Sequence, residues 1–137
     1  VAAGNDVMSE SEHFKEILAH ERVWRSLYDR ATVVLDRFSQ LEENGKAGYW
    51  IVGDDWGPDF LQIEVTDLRL LQRDAVGALK RVLDDFPGWQ IIMRIFSLDT
   101  EPPLPRMGLL VSDGQVFHDL KRKYLPEEIR HITYEGI

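Results

Sequence analysis

The chain has 137 residues, 44% of them hydrophobic and 29% charged, with a formal net charge of −8 and a pI near 4.9. That size and balance fit one folded domain over residues 1–137 and argue against a disordered chain. The chain has no Cys, which excludes disulfides, thiolate zinc sites and a Cys nucleophile. Its acidity speaks against a nucleic-acid partner, and no apolar run is long enough to span a membrane.

Val1 to Met8 offers neither a basic segment nor an apolar core, so it does not read as a signal peptide. A cytoplasmic location is expected, with residues 1–8 disordered. Ser9-Glu10-Ser11-Glu12 then has capping-box spacing. Phe14, Ile17, Leu18, Trp24, Leu27, Tyr28, Ala31, Val34, Leu35, Phe38 and Leu41 recur at helical intervals, and Asn44-Gly45 supplies a stop. One helix from Ser9 to Glu43 would be about 50 Å long, far beyond the radius of gyration of roughly 14 Å for a domain of this length. The favoured reading is a bend or break at His20 to Arg22, where the stripe is interrupted. The other is a free end that packs on a second copy, which gives a homodimer through the N-terminal helix.

Tyr49 to Gly53 and Phe60 to Thr66 read as two strands joined by the turn formers Asp54-Asp55-Trp56-Gly57-Pro58-Asp59. Leu61, Ile63 and Val65 alternate with Gln62, Glu64 and Thr66, so one face is buried; the strand is allowed to run on to Leu70 or Leu71. A helix starts near Arg73 or Asp74, buries Val76, Leu79, Val82, Leu83 and Phe86, and stops at Pro87-Gly88. Trp89 to Leu98 suits a central strand covered on both faces. The three prolines of Glu101 to Pro105 mark a loop, and Met107 to Ser112 and Gln115 to His118 flank the hairpin signal Asp113-Gly114. A helical turn at Leu125-Pro126-Glu127-Glu128 precedes a last strand at Arg130 to Tyr134. This order predicts an α+β fold: a twisted, mainly antiparallel sheet of five or six strands, with the long N-terminal helix and a second helix packed on one face.

Between Gly48 and Leu68 the chain carries Asp54, Asp55, Asp59, Glu64 and Asp67 but no Lys or Arg, together with Tyr49, Trp50, Trp56 and Phe60. An acidic aromatic hairpin draws a basic protein partner by charge and holds it through a desolvated indole. The proposed contacts are Asp54, Asp55, Trp56, Asp59 and Glu64, with Trp56 at the tip. The plainer account sends the aromatic groups inward and leaves the acids to solvate a turn. Asp54, Asp55 and Asp59 also suggest a divalent cation, but their spacing is not that of an EF-hand loop, and no metal is expected.

A second functional reading places a ligand site or an active site around Arg94, His118, Asp119, His131 and Tyr134, provided the last strand pairs with the Asp113-Gly114 hairpin. No nucleophile elbow or HExxH pair accompanies them, so catalytic residues are not assigned. His13 and His20 share a helix face two turns apart and read as solvated. Lys121-Arg122-Lys123, with Arg130, is the only basic run and reads as a solvated edge. No Gly-rich phosphate loop follows a strand, and no cofactor is expected.

The turn Gly53-Asp54-Asp55-Trp56-Gly57, the helix Ala78 to Leu83, Phe86-Pro87-Gly88-Trp89 leading into Ile91 to Arg94, and Leu125-Pro126-Glu127-Glu128 follow one another in an order that resembles small acidic immunity proteins of bacterial toxin–immunity systems. The resemblance covers Tyr49 to Tyr134; the long N-terminal helix is outside its pattern. It implies a cytosolic, non-enzymatic inhibitor that occludes a toxin's active site, and it carries over no individual binding residue.

Overall fold

The computed structural model describes residues 10–39, 48–52, 59–96, 105–112, 115–118 and 127–137. Helix α1 spans Glu10–Phe38, followed by β1 (Tyr49–Val52) and β2 (Phe60–Val65). A 3₁₀ turn at Leu68–Leu71 leads into α2 (Arg73–Leu83), then β3 (Gln90–Phe96), β4 (Pro105–Ser112), β5 (Gln115–His118) and a short α3 (Glu127–Arg130). The sheet has five strands in the order β1-β2-β3-β4-β5. Only β2 and β3 run parallel, with α2 as their crossover; the other neighbours are antiparallel. The architecture is α+β, as expected.

Alternation decides which face is dry. Leu61, Ile63 and Val65 of β2, Ile91, Met93 and Ile95 of β3, and Leu109 and Val111 of β4 are all buried. They share one core with Trp24, Leu27, Ala31 and Leu35 of α1 and Val76, Leu79, Val82 and Leu83 of α2. Asp74 in the first turn of α2 and Lys80 and Arg81 in its last turn match the helix dipole. The chain leaves α2 through tightened turns, and the Gln90 amide then donates to the Asp59 carbonyl at 3.0 Å, aligning the starts of β2 and β3.

Five expectations are corrected. The break at His20 to Arg22 is absent: α1 runs unbroken over 29 residues, about 44 Å. It holds neither Gly nor Pro, and His20 occupies the stripe rather than interrupting it. Its first turns overhang the core, and Phe14 is 61% exposed. The helix ends at Phe38, earlier than expected; Leu41 and Asn44-Gly45 lie outside the described residues, as do 1–9. Beyond Val65 the strand does not continue, because Asp67 caps the 3₁₀ turn. The last strand at Arg130 to Tyr134 is not formed. α3 occupies its beginning, and Ile132 and Tyr134 are buried from an irregular segment. Lastly, β3 is fully buried on one face only, since Ile92 and Arg94 on the other are half-buried among the described residues. Pro105 opens β4, a first position at which a missing donor is tolerated.

Candidate functional site

The acidic stretch divides into groups with different duties. Asp67 is structural. Its side chain is 9% exposed and pairs with Arg69 at 2.7 Å. The Arg69 amide and Nε also donate to it, at 3.0 and 2.8 Å, and the Ser39 hydroxyl donates at 3.3 Å. Burial works to raise its pKa, but these donors outweigh burial and hold the carboxyl below the ordinary value of 3.8. Ser39 in turn accepts from the Gly48 amide at 3.4 Å, while the Gly48 carbonyl accepts from the Thr66 and Asp67 amides. Any Cβ on Gly48 would sit 2.1 Å from Asp67 Cβ, so only glycine lets β1 start there.

Asp59 is exposed and accepts from His20 Nε2 at 3.0 Å. The His20 ring lies 5.0 Å from that of Trp89. His20 is therefore docked on the body of the protein and not solvated as expected, whereas His13 is exposed. α1 and the start of β2 are joined at this point, and Asp59 is partly occupied by its own fold.

Among the described carboxylates of the stretch, Glu64 is half-buried and has no ion pair. It sits on the sheet face away from the helices, in register with Trp50 on one side and Arg94 on the other. Among the described residues no ion pair forms between Glu64 and Arg94. Trp50 is 42% exposed, a large apolar group held at the side of the sheet. Tyr49, its neighbour, turns the other way and donates from its hydroxyl to Asp36 of α1. Burial first, and this acceptor second, push the Tyr49 phenol above its usual range. Asp54, Asp55 and Trp56 lie outside the described residues. The plainer account sends Trp50 inward, but Tyr49 and Ile51 pair with buried Val65 and Ile63, which leaves Trp50 on the other face.

Of the five residues of the alternative site, the three whose side chains are described, Arg94, His131 and Tyr134, do not come together. Arg94 lies on the helix-free face of the sheet. Tyr134 is buried on the helix side, where its hydroxyl donates to the Leu71 carbonyl and burial pushes its pKa up to about 12. His131 is exposed and lines a shallow depression of about 380 Å³ with Arg73, Asp74 and Thr133. His118 is placed by its backbone alone, opposite Leu109. Asp119 and the run Lys121-Arg122-Lys123 lie outside the described residues.

No family model, curated protein or solved structure matches this chain. The functional reading therefore rests on the residues and their placement.

Proposed function

We propose that this protein is a non-enzymatic binding module that receives a basic protein surface at the β1–β2 end of its sheet. In its narrower form the proposal is an immunity-type inhibitor that blocks a basic toxin or effector by steric occlusion. The single observation that supports it most is an exposed indole, Trp50 at 42%, in register with Glu64 on the neighbouring strand, a carboxylate with no ion pair among the described residues. An indole that loses its remaining water on contact is a typical anchor, and a carboxylate beside it favours a cationic ring of contacts around it. Charge attraction would speed the encounter, since the chain carries −8 overall.

The test is capture from native lysate with wild type, Trp50→Ala and Glu64→Gln. The proposal expects one specific partner that is lost with Trp50→Ala and released as salt rises. A partner held equally by both variants and at high salt refutes the site; absence of any partner refutes the function.

A second reading is self-association through the first turns of α1, which the exposed Phe14 favours. Light scattering of wild type against Phe14→Ser separates them: a strict monomer at high concentration removes self-association.

A further inference from the structure

At the opposite end of the helical layer, three guanidinium groups line one cavity of about 300 Å³: Arg37 at the end of α1, and Arg73 and Arg81 on α2. This is a dense positive feature in a chain of net charge −8. One side-chain carboxylate, Asp74, shares the lining with Ile137, whose main-chain oxygen accepts from Lys80. Yet none of the three arginines has an ion-pair partner among the described residues.

Two of the three have partners that hold them in place. Arg73 donates to the carbonyls of Thr133 and Glu135, in the latter case at 3.3 Å from both terminal nitrogens. Arg37 lies over the Phe38 ring at 5.2 Å. Arg81 folds back along α2, its Nη1 lying 3.6 Å from where a Cβ on Gly77 would stand. That Cβ would also come within 2.8 Å of the Ile137 side chain, so glycine at 77 keeps the floor open. Prepositioned guanidinium groups lose less freedom when a ligand binds.

From this convergence we infer that the cavity is a binding site for a small molecule bearing a phosphate group. Guanidinium forks match oxyanions, and three of them supply more donors and more charge than a single carboxylate can use, which suits a phosphate. The volume lies at the small end for ligand sites, which fits a compact phosphorylated metabolite. Phe38 gives the non-phosphate part an apolar wall. No run of residues announces the site, because its cations come from two helices: Arg81 follows Lys80, but Arg37 and Arg73 each stand alone in the sequence.

The experiment is a titration with inorganic pyrophosphate, followed by the amide resonances of Gly77 and Arg81, with citrate and sodium chloride of matched ionic strength as separate arms. Saturable pyrophosphate shifts with a dissociation constant near or below about 1 mM are expected. Arg37→Gln and Arg81→Gln are each expected to weaken binding about tenfold with the melting temperature retained. Arg73 is left intact because it also holds the 133–135 backbone. Shifts that sodium chloride reproduces, or that both variants leave unchanged, overturn the site. Tighter binding of citrate than of pyrophosphate overturns the assignment to phosphate.

Discussion

Asp67→Ala offers the sharpest test of how the acidic stretch is divided. The substitution removes the cap on the Arg69 amide, worth about 1 kcal/mol. It also removes an ion pair whose arginine is half exposed, so that solvent screening leaves at most about 1 kcal/mol. The Ser39 hydroxyl, a buried group, loses its acceptor as well, which costs roughly 0.5–1 kcal/mol. Together these losses come to about 2–3 kcal/mol, or roughly 5–10 °C in melting temperature for a domain of this size. Asp67→Asn keeps an acceptor for the Arg69 amide and is expected to recover about half of the loss. Urea unfolding followed by tryptophan fluorescence reads both variants. The dependence on pH carries the decisive information. A carboxyl whose folded pKa is lowered contributes its charge-linked stability fully above the ordinary value of 3.8, and loses it as pH falls through the lower folded value. The gap between wild type and Asp67→Asn should therefore close in acid below 3.8. A gap that stays constant through that range would refute the reasoning, as would a loss of partner binding in Asp67→Asn without loss of stability.

Leu79→Ala should cost about 2–5 kcal/mol, because Leu79 is wholly buried between helix and sheet; thermal melting checks it. Tyr134→Phe leaves the Leu71 carbonyl without its donor and should cost about 1–2 kcal/mol in denaturant melts. With a folded pKa of about 12 against 10.0 in the free side chain, the Tyr134 contribution is complete below 10.0 and is lost as pH rises to about 12. Phenolate absorbance, compared between wild type and Tyr134→Phe, should show one late-titrating group missing in the variant. Gly48→Ala should unfold or shift the start of β1, since its Cβ meets Asp67 at 2.1 Å; loss of the cooperative melt would show it. Trp50→Ala, by contrast, should change stability by less than about 1 kcal/mol, so any binding defect it causes cannot be ascribed to unfolding.

Much of the fold was legible because it rests on alternation. Leu61, Ile63 and Val65 were assigned to the core from period two, and Val76, Leu79, Val82 and Leu83 from helical spacing; all are buried. What failed was decided by contacts between distant segments. Ile132 and Tyr134 repeat at strand spacing, but their burial comes from packing on the 3₁₀ turn and α2, without a neighbouring strand. His20 looked like a gap in the α1 stripe because its partners, Asp59 and Trp89, are remote in sequence. Asp67 could not be told from Glu64 by charge alone: the difference is an arginine two residues away and a serine 28 residues away. Glu64 was named from the sequence as a proposed contact, whereas the placement of Trp50 beside it required the strand register.

The one parallel junction, between β2 and β3, has consequences for how the chain acquires its shape. The antiparallel neighbours are joined through nearby sequence, so β1 can find β2, and β3 to β5 can assemble, as local units. Their union waits for α2 to dock and bring Ile63 beside Met93, a closure over a long loop. Refolding speed should then depend more on Met93 and Leu79 than on residues inside either hairpin. The centre of the sheet, where burial is deepest, is the last seam to close.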